Sequence, residues 1–329
     1  MPNGRRKFPL PVLLTLIGVF MFCSCAPTAR NQIMHNAKVV TAQKGDTLPG
    51  LAKSYLSDPA KSYIIAGFNN KTAVAPGEKI IVPLIPLGRG GLKASGYQTV
   101  PVLRYKKFSE HQAGPSTITR RAFESQMELL KNQGYHVITI DQLIDFLEFK
   151  DQIPQKSVVI TIDDGWKSFL KIAYPVLKKY RFPATLFVQT NFIGTKDALS
   201  WSELRYLSRN GLDIQCRSKT YQNLKDLRSN KKFNQYLTRL DNELFRSITD
   251  IKRELGKKCQ YLAYPDGPTN PLLIAFAEKH GFRAGFMPGG TSNPFFVSNY
   301  RVGRSPVSGD DDLAAYQRKL TVFEAMVLK

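Results

Sequence analysis

The sequence predicts an α/β protein in which a small N-terminal unit precedes a larger domain built around a largely parallel sheet, open or closed into a barrel. Two observations predict this architecture. From Thr99 to the C-terminus, short apolar runs alternate with longer helical patterns, as in strands joined by helical crossovers. Residues 38–84 instead read as strand, helix, helix and strand. With 329 residues, the chain is long enough for one large domain and one small domain.

The N-terminus of the chain carries the features of an export signal. A basic start at residues 5–7 leads into an apolar run over residues 10–22, which suits a secretory signal better than a membrane span. The small residue before Cys25 resembles a bacterial lipobox, which implies a lipoprotein-type signal peptide over residues 1–25 and acylation of Cys25. An ordinary cleaved signal and a short uncleaved anchor are the alternatives. We therefore expect an exported bacterial cell-envelope protein that a lipid anchor holds at the membrane.

The chain is strongly basic. Its formal net charge is +21 at pH 7, and the positive charges are spread along the sequence. Such a surplus favours anionic partners such as phospholipid head groups, acidic glycans or nucleic acid. Export and the absence of a nucleic-acid-binding motif argue against nucleic acid, so we expect a membrane-attracted surface and no nucleic-acid partner.

Short motifs define the small unit. Residues 44–48 read Lys-Gly-Asp-Thr-Leu, in which the Asp and Thr oxygens can cap a helix that begins near Leu48. An Asn-Asn pair at residues 69–70 closes a second short helix, and residues 76–80, Pro-Gly-Glu-Lys-Ile, turn the chain into the last strand. In order and spacing, these motifs resemble the LysM module over residues 38–84.

The LysM resemblance implies a glycan-binding module for N-acetylglucosamine-containing chains such as peptidoglycan or chitin. Asp46, Thr47 and Asn69 are then expected at its glycan-binding groove. A structural module without glycan affinity is the alternative. The glycine-rich residues 85–98 are expected to form a linker to the larger domain.

The larger domain, over residues 99–329, is expected to alternate strands with helices. The predicted strands cover residues 100–104, 137–139, 158–162, 184–188, 212–216, 261–264 and 282–286. The predicted helices include residues 120–132, 168–180 and 233–255. In the last of these helices, leucine and isoleucine recur every three or four residues, which indicates a core-facing side. Functional residues are expected just beyond the C-terminal ends of the strands.

Two adjacent carboxylates follow one predicted strand directly. Asp163 and Asp164 come after the continuous apolar run at residues 158–162, and Gly165 follows them. Adjacent carboxylates at a strand end cost free energy unless a cation or a functional need holds them. A capped turn before the next helix is the alternative, because Asp and Gly suit such a turn.

The segments around this pair extend the pattern over most of the larger domain. Residues 161–165 read Thr-Ile-Asp-Asp-Gly, and residues 175–180, 183–188, 199–201 and 262–267 continue in register. Together they resemble the polysaccharide deacetylase (NodB-homology) family, carbohydrate esterase family four, whose motif is Thr-Phe-Asp-Asp-Gly. The resemblance implies a distorted (β/α) barrel and the hydrolysis of N-acetyl groups on a sugar.

In that family the first aspartate is the general base, and the second binds a divalent metal together with two histidines. The resemblance therefore implies Asp163 as the general base and Asp164 as a metal ligand. The chain departs from the family at the histidines, since residues 211–221 read Gly-Leu-Asp-Ile-Gln-Cys-Arg-Ser-Lys-Thr-Tyr. The two histidine positions are thus Arg217 and Tyr221.

The pocket implied by the resemblance has an unusual composition. It would be lined by Lys106, Arg217, Tyr221, Tyr264 and Asp266, with Lys106 at a position where the family commonly has histidine. A zinc site needs about three protein ligands, and an arginine cannot serve because it stays protonated. We therefore expect no bound metal, and zinc or another divalent metal only if the protein is active.

Three functions remain open from the sequence. The first is a catalytically degenerate family member that binds peptidoglycan or exopolysaccharide, with Arg217 and Lys106 as fixed cations that neutralise Asp163 and Asp164. The second is an active glycan N-deacetylase with a rebuilt metal site that uses Asp163 and a histidine such as His111. The third is a structural envelope protein that binds another protein. Whether the chain is an enzyme stays open at this point.

Overall fold

The computed structural model describes residues 37–69, 71–84, 91–93, 96–220, 224, 233–265 and 269–326, so the expected signal peptide and Cys25 lie outside the described residues. Its strands are β1 (Ala37–Thr41), β2 (Lys79–Pro83), β3 (Leu92–Lys93), β4 (Gly96–Tyr105), β5 (Lys107–Ser109), β6 (Thr117–Thr119), β7 (His136–Val137), β8 (Ser157–Asp164), β9 (Thr185–Gln189), β10 (Asp213–Ser218), β11 (Tyr261–Ala263), β12 (Ala284–Pro288), β13 (Ser292–Pro294), β14 (Val302–Pro306) and β15 (Phe323–Ala325). Its helices are α1 (Leu48–Leu56), α2 (Ser62–Asn69), α3 (Arg120–Asn132), α4 (Ile140–Leu147), α5 (Tyr174–Tyr180), α6 (Trp201–Arg209), α7 (Phe233–Leu255), α8 (Pro271–Lys279) and α9 (Leu313–Arg318).

The small unit folds in the order strand, helix, helix, strand. β1 pairs antiparallel with β2, so that Lys38 lies opposite Val82. Thr47 caps α1, because its Oγ1 accepts a hydrogen bond from Gly50 N at 3.1 Å. The buried core of the unit consists of Ala42, Leu48, Leu51, Ala52, Ile65, Ile80 and Val82. The two helices thus cover a sheet that would be too small to be stable alone.

In the described part of the chain, seven parallel strands close into a barrel. Their order is β4, β8, β9, β10, β11, β12 and β14, and the last strand returns to the first. Val102 of β4 lies opposite Val159 of β8 on one side, and Leu103 of β4 lies opposite Ser305 of β14 on the other. The (β/α) barrel that the sequence predicts is therefore confirmed.

Alternation along the strands separates the interior of the barrel from its outer layer. Val100 and Val102 of β4 share a buried cluster with Phe187 of β9, whereas Leu103 belongs to the cluster under the surrounding helices. Apolar residues of α4 join the interior cluster and close the N-terminal end of the barrel. The polar side chains of the interior therefore lie at the C-terminal end.

The predicted strands need correction at β14 and at β7. The sequence does not predict β14, because Gly303 and Arg304 interrupt its apolar pattern, yet β14 completes the barrel. The strand predicted at residues 137–139 is shorter and lies outside the barrel. It ends early because Thr139 caps α4, where its Oγ1 accepts a hydrogen bond from Gln142 N at 3.2 Å.

The small unit contacts the N-terminal end of the barrel. Lys61 Nζ lies 2.8 Å from Asp151 Oδ2, and the Tyr63 hydroxyl donates a hydrogen bond to the main-chain oxygen of Gln152. Both acceptors precede β8, and the aspartate pair ends β8, so the small unit and the pair lie at opposite ends of the barrel. Among the described helices, none is both long and apolar enough to cross a membrane.

Candidate functional site

The aspartate pair ends β8 in an uncommon backbone conformation. Asp164 has a φ of 75° and Gly165 a φ of 98°. Positive φ values favour glycine, and aspartate tolerates them better than most other side chains. A Cβ atom at position 165 would also lie 2.6 Å from Ile193 Cδ1. These constraints explain why the turn after β8 carries Asp-Gly, and both aspartates are buried there.

A β-bulge positions Arg217 beside the pair. In the pairing of β9 with β10, Cys216 lies opposite Val188 and Ser218 lies opposite Gln189, so Arg217 is an extra residue in its strand. Such bulges re-aim side chains next to functional sites. The side chain of Arg217 is 1% exposed and contacts both aspartates.

Arginines hold both carboxylate oxygens of Asp163. Arg304 Nη1 donates to Oδ1 at 2.6 Å and Nη2 donates to Oδ2 at 3.2 Å, while Arg217 Nη1 also donates to Oδ2. Burial raises the pKa of the Asp163 carboxyl, but the charges of Arg217 and Arg304 outweigh burial and hold this pKa far below its ordinary value. Burial lowers the pKa of Arg304 to about 10, against the raising effect of Asp163. Asp163 and Arg304 are therefore both charged at neutral pH.

Asp164 faces cations as well. Arg217 Nε lies 3.0 Å from its Oδ1, and Lys106 Nζ lies 3.2 Å from its Oδ2. Trp166 Nε1 donates a hydrogen bond to the same Oδ2 at 3.4 Å. Lys106 and Trp166 are partly exposed, whereas the other members of the cluster are buried. The cluster therefore meets solvent on the side of Lys106 and Trp166.

The donor set does not fit a divalent metal ion. A catalytic zinc site uses about three protein ligands. Within the described ranges, no group of three His, Cys, Asp or Glu side chains could hold a metal. The aspartate oxygens already face Arg217, Arg304 or Lys106, whose charges would repel a further cation. The site is thus built around side-chain cations.

Tyr264 departs from its predicted place in a pocket. Its side chain is fully buried in the apolar layer under the helices, and its hydroxyl donates to the main-chain oxygen of Tyr300 at 3.1 Å. Burial raises the pKa of this hydroxyl. Tyr264 therefore packs the barrel wall, because alternation turns it away from the interior that Ala263 faces. The predicted site residues Tyr221 and Asp266 lie outside the described residues.

Histidines do not contact the aspartate pair within the part of the chain that the structure describes. His111 is exposed in the loop after β5. His136 begins β7 at the N-terminal end of the barrel, and His280 Nε2 lies 3.1 Å from Asp241 Oδ1. The three described histidines therefore do not assist Asp163, and His35 lies outside the described residues.

Sequence reasoning missed Arg304 and Trp166. Arg304 stands 141 residues after Asp163 on the unpredicted strand β14, and only barrel closure brings the two together. The alternation of side chains along β14 would have indicated that Arg304 faces the barrel interior. That alternation can be used only once residues 302–306 are recognised as a strand. Trp166 had a simpler signal, since it follows the aspartate motif directly.

The polar residues singled out in the small unit have contacts within that unit. Asp46 Oδ2 accepts a hydrogen bond from a main-chain N–H of its own turn at 2.7 Å, and Thr47 caps α1. Asn69 Nδ2 donates to Ile65 O at 2.8 Å and to Ile81 O at 2.7 Å, while its Oδ1 accepts from Ile81 N at 2.9 Å. Asp46 and Thr47 therefore hold the turn before α1, and Asn69 ties the end of α2 to β2.

Comparisons with known proteins agree with this architecture. A family model described as polysaccharide deacetylase matches residues 150–285. The poly-β-1,6-N-acetyl-D-glucosamine N-deacetylase of Staphylococcus epidermidis is 30% identical over 200 residues, which cover 59% of this chain and 69% of that protein. The structure of IcaB from Ammonifex degensii aligns with a TM-score of 0.59 at 26% identity, over 65% of this chain and 94% of that chain. The Streptococcus pyogenes deacetylase PplD has a similar fold, with a TM-score of 0.61 at 19% identity over 68% of this chain and 98% of that chain.

Proposed function

The chain belongs to the polysaccharide deacetylase family, and we propose that it binds an N-acetylglucosamine-containing glycan at the cell envelope without deacetylating it. The observation that carries this proposal is the closed ion cluster at the C-terminal end of the barrel. Arg217, Arg304 and Lys106 contact all four oxygens of the aspartate pair. Catalysis in this family would need those oxygens for water and metal.

Asp163 is poorly suited to act as a general base. An efficient base has a pKa near the working pH, whereas the charges around Asp163 hold its carboxyl pKa far below the ordinary value. The side chain of Asp163 is also only 2% exposed, so the carboxylate is shielded from solvent in this arrangement. With a replaced ligand set at Arg217 and Tyr221, amide hydrolysis loses both its base and its metal.

Two lines of support favour a glycan ligand. The relative from Staphylococcus epidermidis is named for poly-β-1,6-N-acetyl-D-glucosamine, and the structure of IcaB from Ammonifex degensii has a similar fold. The motifs of the small unit resemble those of a LysM module, and its order of strand, helix, helix and strand supports the glycan-binding module that we propose for it. We infer that the small unit, through Asp46, Thr47 and Asn69, adds affinity for N-acetylglucosamine-containing glycans. Peptidoglycan is one such glycan.

The proposed place of action is the outer side of a bacterial membrane. A signal peptide over residues 1–25 and acylation of Cys25 would attach the mature chain to lipid. Labelling with a radioactive fatty acid in the producing cell tests this point. Incorporation that a Cys25→Ser variant loses would support the anchor, and equal labelling of the variant would contradict it.

Acetate release tests the lack of catalysis. Purified mature chain is incubated with N-acetylglucosamine oligomers or poly-β-1,6-N-acetyl-D-glucosamine, with zinc or cobalt added. We expect no release above a blank. Release by the wild type that an Asp163→Asn variant loses would mean that an active site assembles after all, and the proposal would be wrong.

Sedimentation with purified sacculi and with insoluble poly-β-1,6-N-acetyl-D-glucosamine tests binding. We expect the protein in the pellet, and we expect soluble N-acetylglucosamine oligomers to displace it. Retention that these oligomers cannot compete would indicate attachment to protein in the sacculi. That outcome would favour the structural role over glycan binding.

A further inference from the structure

Two adjoining cavities lie between the small unit and the N-terminal end of the barrel, and we call them together the inter-unit cleft. The first has a volume of about 340 Å³ and the second of about 640 Å³, and Tyr63, His136 and Gln152 line both of them. Tyr63 belongs to α2 of the small unit, whereas His136 and Gln152 belong to the larger domain. Each cavity has the size of an ordinary ligand pocket, which is roughly 300–1,000 Å³.

Polar contacts join the two walls of the inter-unit cleft. The Tyr63 hydroxyl donates a hydrogen bond to the main-chain oxygen of Gln152, and Lys61 Nζ lies 2.8 Å from Asp151 Oδ2. Burial raises the pKa of the Tyr63 hydroxyl, and the charges of Asp151 and Asp58 raise it further. Tyr63 therefore stays protonated, and its hydrogen bond ties α2 to the loop before β8 where the two cavities meet.

The first cavity has carboxylates on both of its walls. Asp58 lines it from the small unit, and Asp145 lines it from α4. Asp58 Oδ1 accepts a hydrogen bond from Ala60 N at 2.8 Å, and Asp145 Oδ1 accepts one from Arg283 Nη2 at 3.0 Å, so both side chains are held in place. An ionised carboxylate only accepts hydrogen bonds, and its two oxygens have about four lone pairs. The first cavity therefore suits a ligand that carries several O–H or N–H donors.

The second cavity combines exposed apolar side chains with neutral polar ones. Phe68 and Leu92, which are 45% and 54% exposed, line it together with the amide of Gln155. Burial lowers the pKa of the His136 imidazole, so this ring is neutral at neutral pH and, like an amide, both donates and accepts hydrogen bonds. A sugar ring has hydroxyl groups that donate and accept and C–H faces that are apolar. The lining of the second cavity therefore matches both sides of a sugar.

We propose that the inter-unit cleft binds a segment of a glycan chain, with sugar hydroxyls on the carboxylates of the first cavity and a sugar face against Phe68 in the second. The proposal rests on the glycan-binding function proposed above and names a binding site for it. Asp46, Thr47 and Asn69 line neither cavity, and the aspartate pair lies at the other end of the barrel. Because the walls come from both units, a bound segment also holds the small unit on the barrel.

Variants on the two walls test the site by calorimetry with the full mature chain and a soluble N-acetylglucosamine oligomer. Phe68→Ala removes the aromatic face on the small unit, and His136→Ala changes the wall on the larger domain. We expect each variant to bind the oligomer at least about tenfold more weakly than the wild type does. Phe245→Ala is the matched control and should bind as the wild type does, because Phe245 is 56% exposed on α7 and lines neither cavity. Each variant is first checked for an unchanged melting temperature, and Gln155→Ala replaces His136→Ala if that variant does not fold.

Photo-crosslinking locates the ligand independently of the variants. The wild type is irradiated with an N-acetylglucosamine oligomer that carries a diazirine at its reducing end, and the labelled peptides are identified by mass spectrometry. We expect label within residues 58–68 of the small unit and within residues 136–155 of the larger domain. An excess of the unlabelled oligomer should remove the label from both segments.

The outcomes separate this inference from the proposed function. Binding that neither Phe68→Ala nor His136→Ala weakens, with label outside both segments, would overturn the cleft as the site and leave glycan binding intact. Weaker binding by Phe68→Ala alone, with label confined to the small unit, would mean a site on the small unit by itself and would also overturn the shared site. Equal weakening by Phe245→Ala would show that the effects do not come from the cleft. An oligomer that the wild type does not bind would contradict both proposals.

Discussion

At the scale of single residues, the central feature is a buried ion cluster formed by side chains that lie far apart in the sequence. Asp163 is held by Arg304 and Arg217, and Arg217 also reaches Asp164. Removing one partner of such a cluster leaves an uncompensated buried charge, which costs far more than the loss of a surface pair. The cluster therefore stabilises the folded state only as a complete set.

Arg217→Ala should lower the free energy of unfolding by about 3–5 kcal/mol, because Asp163 and Asp164 would each lose a buried cation. Arg205→Ala is the matched control. Arg205 pairs with Glu254 at 3.0 Å on the surface, and its loss should cost about 1 kcal/mol or less. Urea unfolding measures both values, and losses of similar size would contradict the argument.

The depressed pKa of Asp163 predicts a particular response to acid. Because its folded-state pKa lies below the unfolded value of about 4, its contribution to stability is complete above about pH 4 and is lost as the pH falls further. Urea unfolding of the wild type and of Asp163→Asn from about pH 7 to about pH 2 checks this. The difference in the free energy of unfolding between the wild type and Asp163→Asn should stay constant down to about pH 4 and then shrink. A difference that changes between about pH 7 and about pH 5 would contradict the assignment.

At the scale of elements, small deviations from regular strands create the site. The bulge in β10 turns Arg217 inward, and the positive φ of Asp164 ends β8. Glycine has an equally local role in β12, where Gly285 leaves space for the ring of Tyr264. A Cβ atom at position 285 would collide with the Tyr264 ring and hydroxyl.

Gly285→Ala should therefore destabilise the protein by about 1–3 kcal/mol, since a well-packed wall cannot accept the methyl group without strain. Gly67→Ala in α2 makes the same chemical change where nothing lies within 4 Å of the new Cβ, and it should be neutral or stabilising by up to about 1 kcal/mol. Thermal unfolding of the two variants distinguishes the cases. A stable Gly285→Ala variant would show that Tyr264 can move.

At the scale of the whole molecule, the two proposed glycan-binding regions lie at opposite ends of the barrel. The small unit rests on the loop before β8 through Lys61 and Tyr63, and the ion cluster lies after β8. Lys61 and Asp151 are each about one-third exposed, so their pair contributes about 1 kcal/mol or less. The contact between the units therefore depends on few polar groups.

A double variant, Lys61→Ala with Tyr63→Phe, should loosen this contact without unfolding either unit. We expect a larger radius of gyration in small-angle scattering and an unchanged melting temperature of the barrel. Lys53→Ala, on the exposed face of α1, is the control and should change neither quantity. A double variant with the wild-type radius would mean that apolar packing alone holds the units together.

Local patterns predicted much of this molecule. The apolar run at residues 158–162 predicts β8, and the three-to-four spacing of leucine and isoleucine predicts α7 with its observed bounds. The resemblance around the aspartate pair predicts the barrel and the family. Strand β14 could not be predicted in this way, since Gly303 and Arg304 hide its alternation.

The local sequence predicts an adjacent aspartate pair at a strand end, and the family resemblance predicts that Arg217 and Tyr221 stand where metal ligands are expected. That Arg304 and Arg217 share Asp163 became visible only in the folded barrel. The physical reason is that apolar periodicity is a local property of the chain. Charge pairing in a closed barrel instead depends on which distant strands become neighbours, and that is known only once the barrel closes.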